Sequence, residues 1–316
     1  MIQVDRITAE QANEIEALRA TPAATLRPVS EGIEALLYKP LPVLDHGFVR
    51  VVDYMGDDAS VVQAARVSYG RGTKKVQEDR GLINYLLRHW HTTPFEMAEI
   101  KLHVKLPIFV ARQWIRHRMA NVNEYSARYS VMDREFYVPS PEHLAAQSSV
   151  NRQGRGDLLT GQEAQDVLAM LREDASRNYD HYVEMLNDPA EGSYSEDRAG
   201  LARELARMNL TMNVYTQWYW KTDLHNFMNF LRLRADSHAQ YEIRAYAEIM
   251  VGLLAKWVPL VHEAFMEHRM GSVQLSATAL KAVRRMIAGE KVDQPSSGLS
   301  KREWAELADA LGLQDD

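Results

Sequence analysis

Between residues 99 and 107 the chain alternates, with Ile100, Leu102, Val104 and Leu106 apolar and Lys101, His103 and Lys105 polar, the two-residue period of a half-exposed strand. A second strand pattern, GFVRVVDYMG, covers residues 47–56, and Asp57 or Asp58 can cap a following helix on which Val61, Ala64, Ala65 and Ser68 share a face. Further helical periodicity surrounds GLINYLLRHW (81–90), and HTTPFE (91–96) reads as a loop. Pro107 suits the first turn of a helix through Met119, placing Arg112 and Arg116 four apart on one face, after which the chain enters a polar loop. Downstream, residues 145–162 read as a surface loop, 163–187 and 195–209 as helices, and 211–222 as a strand whose YTQWYW run packs in the core. Asp223 caps a helix through Arg234, and another long helix ends before Pro259. VDQPSSG (292–298) resembles a linker, and SKRE (300–303) is a capping box opening a short helix.

Composition narrows the class. The 316 residues are 46% hydrophobic and 25% charged, enough for one sizeable core with appendages. No apolar run approaches the roughly 20 residues that span a bilayer, and the first twenty residues carry acids where a signal peptide would be apolar. A cytoplasmic protein is expected, with no membrane partner. The chain has 0 cysteines, which excludes disulfides, cysteine-ligated metals and a cysteine nucleophile. A net charge of −6 argues against a general nucleic-acid binder.

The arginines are nevertheless clustered. Arg112, Arg116, Arg118 and Arg128 face a single acid, Glu124, between residues 107 and 129, a balance suited to a small anionic ligand. Arginine forks match phosphate oxygens, and Asn123, Ser126 and Tyr129 add further hydrogen-bonding groups. His117 lies between two arginines, whose charge favours its neutral form. His89, His91 and Glu96 make at most a minimal metal site, and hydrogen bonding in a turn explains them without one; no metal is expected. For RLRADSHAQYEIR (232–244) two readings stay open: a salt-bridged helix in which Asp236 and Glu242 answer Arg232, Arg234 and Arg244, or a ligand site. Neither GxGxxG nor a P-loop is present.

RHR at 116–118, followed after seven residues by Ser126 within QWIRHRMANVNEYSARYS, resembles the signature of the flavin-dependent thymidylate synthases. The resemblance extends through ARVSYG (65–70), HTTPFE, HVKLPIFVARQW (103–114), LARELARMNL (201–210) and FLRLRADSHAQYEIR (230–244). One departure is Asn121, where members frequently have serine. Residues 1–45, 145–162 and the tail lie outside it.

That resemblance implies an α/β (α+β) subunit, an antiparallel sheet flanked by helices, with residues 1–45 as an N-terminal extension, 46–270 as the catalytic domain and 271–316 as a C-terminal appendage. It implies FAD as cofactor, 5,10-methylenetetrahydrofolate as one-carbon donor, NADPH as reductant and deoxyuridine monophosphate (dUMP) as substrate. It further implies a homotetramer with shared sites, and the separated arginine clusters are compatible with that. Carried over by motif position, Gln113, Trp114, Ile115, Arg116, Glu124, Tyr125, Ser126, Ala127, Arg128, Arg207 and Arg234 correspond to dUMP contacts, with Arg234 the catalytic residue that polarises uracil. Ser68, Thr93, Arg116, His117, Arg118, Glu124, Asp223, Leu224, His225, Asn229 and His238 correspond to FAD contacts, and His91 and Glu96 to the flavin and folate vicinity.

Overall fold

The computed structural model describes residues 8–67, 76–148 and 154–313. Seven strands occur among them: β1 (Pro40–Val43), β2 (Gly47–Met55), β3 (Glu99–Pro107), β4 (Asn121–Glu124), β5 (Ala145–Gln147), β6 (Arg155–Leu158) and β7 (Tyr215–Asp223). Five form one sheet in the order β1-β2-β3-β7-β4, every neighbouring pair antiparallel.

Alternation decides which face is buried. Val49, Val51, Ile100, Leu102, Val104, Leu106, Trp218 and Trp220 point inward and are almost fully enclosed. Against this face pack the helices Ile108–Trp114, Leu224–Arg234 and Tyr241–Trp257. Trp114 is the hub: its indole stacks on Phe230 with centroids 4.5 Å apart and meets Trp218, Trp220 and Tyr246 edge-on. On the opposite face His103 stacks on Tyr219 and meets Phe48 edge-on, while hydrogen bonds of 2.9 Å join its ring to Arg50 and Gln217. A second cluster, Met132, Tyr179, Tyr182, Leu186, Ala206 and Val214, seats the long helix Gly161–Leu186.

Several sequence expectations change. The segment after Met119 is not a loop throughout: Asn121–Glu124 pairs its backbone with the outer edge of β7, Asn121 opposite Lys221 and Glu124 opposite Trp218. Ladder pairing, a tertiary effect, overrides a polar four-residue sequence there. The preceding helix stops at Trp114, because the chain must turn through residues 115–120 to reach that edge. Residues 145–162 contain the β5–β6 hairpin. Little of 195–209 is helical beyond Arg203–Ala206, since the side chain of Asn187 captures the carbonyls of Ser195 and Arg198 and holds that stretch as a loop.

By contact density the chain divides into two units, one through Phe265 and one from Met266. In the second, helices Ala277–Ile287 and Lys301–Leu311 close over Ala279, Ala282, Leu299 and Leu307. The Ser300/Glu303 capping box forms as the sequence predicts, while 292–298 contains a short helix, Gln294–Ser297, in place of a linker. No helix of the described residues is long and apolar enough to cross a membrane.

Candidate active site

β4 and β7 organise the candidate residues. Arg116, His117 and Arg118 occupy the turn that enters β4; Tyr125 to Tyr129 form the turn that leaves it; Asp223 ends β7 and caps the helix that carries Arg234 at its last position. Residues far apart in sequence thereby converge on His117, whose ring meets Phe230 edge-on at 5.5 Å and lies 6.3 Å from Trp220.

His117 titrates below the ordinary histidine range. Burial is the main cause and the charge of Arg234 the next, opposed by the Asn226 carbonyl and the Asp223 carboxylate. The sequence anticipates the direction but attributes it to the adjacent arginines; the distant Arg234 does that work. The His117 Nε2 and the Gln113 Oε1 are buried without a hydrogen-bond partner among the described residues. Burial likewise lowers the Arg234 pKa from its very high ordinary value. Arg234 is half-buried, and neither it, Arg116 nor Arg118 meets a carboxylate among the described residues. Buried unpaired polar atoms cost free energy, which makes the His117 Nε2 and the Gln113 Oε1 candidates for a ligand contact.

The far end of β4 is organised around Glu204. Arg128 lies 3.5 Å from its carboxylate, and the Arg207 Nε donates to its carbonyl at 3.3 Å. Sequence reasoning missed Glu204, since nothing in its local pattern marks an acid whose carboxylate faces Arg128. The Ser126 Oγ accepts the Arg128 N–H at 3.3 Å, fixing the turn. Tyr125 donates its N–H to Gln217 and its hydroxyl to the Val131 carbonyl, and Glu124 accepts from the Thr216 hydroxyl at 2.9 Å. Ala127 packs on the Tyr179–Tyr182 cluster.

The remaining positions divide. Asp223 accepts from the Asn226 N–H at 2.8 Å, and Asn229 meets the His225 Nε2 at 3.1 Å one helical turn on. Thr93 and Glu96 lie on a 3-10 turn, Thr93–Met97, that packs beside this helix, and the Leu224 N–H donates to Ala98. His91 stacks near Tyr85 and, with Thr93, lines a cleft of 1770 Å³. Trp114 and Leu224 are core side chains, which leaves only their main chains to face a ligand; Ile115 is exposed. His238 is exposed at the tip of its turn, 3.0 Å from Asp236. Ser68 lies outside the described residues. In the 232–244 cluster the ion pairs differ from the salt-bridged reading: Glu242 pairs with Arg155 and Arg244 with Glu248.

Residues 50–260 match the family model described as thymidylate synthase complementing protein. Curated relatives span nearly the whole chain. The chain is 64% identical to a flavin-dependent thymidylate synthase of Ruegeria pomeroyi, over 97% of this chain and 99% of that protein. It is also 64% identical to one of Gluconobacter oxydans, over 96% and 98%. Among solved structures, a UMP/dUMP methylase of Streptomyces cacaoi bound with 5-Br dUMP superimposes with a TM-score of 0.63 at 31% identity, over 72% of this chain and 97% of that one.

Proposed function

Because this chain belongs to the flavin-dependent thymidylate synthases, we propose that it methylates dUMP to thymidine monophosphate, using FAD, with 5,10-methylenetetrahydrofolate as one-carbon donor and NADPH as reductant. It is a methyltransferase-type enzyme. The observation that carries the reading is a His117 kept below the ordinary histidine range by burial and the charge of Arg234, flanked in sequence by the exposed Arg116 and Arg118, with none of the three arginines paired to a carboxylate among the described residues. Such a set fits an anionic cofactor and an anionic nucleotide together.

Arg116, His117, Arg118, His225 and Asn229 are the side chains that would hold FAD. When bound, the flavin supplies two-electron redox chemistry and carriage of the one-carbon unit that no side chain here possesses. Arg234 stabilises negative charge on the uracil ring, a role strengthened by its partial burial because less water screens it. The neutral His117 presents its free Nε2 as a single hydrogen-bonding group without adding another cation. Arg128 and Arg207 take the nucleotide phosphate, which replaces Glu204 as the anion facing Arg128. With 0 cysteines, the chain cannot activate uracil by thiolate attack at C6.

We assign the site to a homotetramer that shares residues between subunits. Arg116 and Arg118 precede β4, and Ser126 and Arg128 follow it; the 4 strand residues between them extend roughly 13 Å. One nucleotide meets both sets more readily when they come from two chains.

Spectroscopy tests the reading. Purified protein supplied with FAD should show oxidised-flavin absorption that NADPH bleaches in the presence of dUMP. A protein whose spectrum no added FAD perturbs would overturn it.

A further inference from the structure

Glu242 is the most deeply enclosed acid among the described residues, 3% exposed. A buried carboxylate persists only where donors surround it, and here they come from separate parts of the chain. The Arg155 Nη2 lies 2.6 Å from each carboxylate oxygen, the Tyr137 hydroxyl donates at 3.0 Å, and the Gln240 Nε2 donates at 2.8 Å. Burial pushes the Glu242 pKa up, but the bonds from Gln240 and Arg155 outweigh it and hold the group below the usual carboxylate range.

Arg155 opens β6, in the hairpin that lies outside the family resemblance. It is held in turn: its Nη1 donates to the His143 carbonyl at 3.1 Å, its guanidinium sits 5.7 Å over the Tyr241 ring, and the His143 ring stacks on that same Tyr241 ring at 3.4 Å. Gln240 ends the turn 235–240 that connects the Arg234 helix to the Tyr241–Trp257 helix. That turn has few other anchors: the Arg244 Nη1 donates to the Ser237 carbonyl at 2.9 Å, and Asp236 binds His238.

We infer that Arg155 and Glu242 are positioning residues: the β5–β6 hairpin clamps Gln240 through Glu242 and thereby fixes the turn that follows Arg234, setting where the Arg234 guanidinium stands against the substrate. Its catalytic consequence rests on the proposed role of Arg234; the clamp itself does not. The hairpin thus acquires a function that its sequence, read as a surface loop, does not disclose.

The test uses full-length holoprotein with Arg155→Met, Arg155→Lys and, should Arg155→Met fail to fold, Glu242→Gln. Because a single guanidinium nitrogen serves both carboxylate oxygens, a lysine ammonium can keep that ion pair while losing the bond to the His143 carbonyl, so Arg155→Lys should rescue in part. Hydrogen exchange read by mass spectrometry should accelerate in the 235–245 peptide of Arg155→Met and not in β3 or β7, with Arg155→Lys between Arg155→Met and parent. In parallel, kcat for dUMP methylation should fall about ten- to a hundredfold with flavin content retained, the scale of a misplaced catalytic group. Unchanged exchange at 235–245 would overturn the clamp. Accelerated exchange with unchanged kcat would retain the clamp and overturn the positioning of Arg234. A parent protein inactive on dUMP would count against the proposed function, while the exchange comparison would still decide the clamp.

Discussion

Arg128 holds Glu204 across 3.5 Å, and both side chains are more than half exposed. An exposed pair of this kind contributes about 0–1 kcal/mol, so under the proposed role of Arg128 a doubly charged phosphate would displace the glutamate with little penalty. Glu204→Gln should therefore bind dUMP as tightly as parent or tighter by up to about 1 kcal/mol, and Arg128→Lys should bind it about 1–3 kcal/mol more weakly through loss of the fork. Calorimetric titration checks both; weaker binding by Glu204→Gln would mean that Glu204 itself holds the nucleotide.

Ser126 is expected to orient rather than attack. Its hydroxyl oxygen already accepts the Arg128 N–H, and the nearest sequence candidate for a base, His117, lies at the opposite end of β4. Ser126→Ala should retain turnover reduced roughly 5- to 150-fold, the cost of a lost orienting hydrogen bond, whereas removal of a nucleophile can cost on the order of a millionfold. Single-turnover thymidylate formation at saturating nucleotide separates the two.

Subunit mixing tests the shared site. The charge of Arg234 acts on His117 within one chain, so under the proposed shared site Arg116 and Arg234 would belong to one half-site and Arg128 and Arg207 to the other. Mixed Arg128→Ala and Arg234→Ala subunits should recover activity that neither has alone, and mixed Arg116→Ala and Arg234→Ala subunits should not. Recovery by the second mixture alone would reverse the assignment of Arg116.

Stability should respond to pH through two opposed groups. Burial raises the Asp58 carboxyl from 3.8 to about 6, where its oxygens accept the Leu260 and Val261 N–H groups. Its contribution is complete below the unfolded value and is lost as pH rises through about 6. Burial, followed by the charge of Arg50, lowers His103 from 6.5 to about 4, so its contribution is present above 6.5 and is lost as pH falls towards 4. Asp58→Asn should make the melting temperature fall more steeply on acidification from about pH 6.5 to 4, and His103→Gln should flatten it. Parallel melting profiles for parent and both variants would contradict these assignments.

The sheet's inner face was legible because alternation in β3 records burial directly, and Asp223 and Ser300 advertised their helices through capping chemistry. β4 was not, because its strand character comes from the partner β7 and not from NVNE itself. The RHR motif pointed to the candidate site, but its electrostatics depended on interactions between distant residues: the cation that lowers the His117 pKa is Arg234, and the base that answers Glu242 is Arg155 from a stretch that reads as loop. Periodicity reports on one element at a time, and these pairings exist only between elements.

The central claim is that a flavin, and no protein nucleophile, carries the methylation of dUMP. Its most direct test is an anaerobic single turnover in which NADPH-reduced, FAD-loaded protein is mixed with dUMP and 5,10-methylenetetrahydrofolate, with thymidylate and flavin oxidation followed together. Thymidylate should form in step with flavin reoxidation and in equal amount, with none from flavin-free protein. Thymidylate from flavin-free protein, or a covalent adduct between uracil and a side chain of this chain in mass spectra of the quenched reaction, would contradict the account.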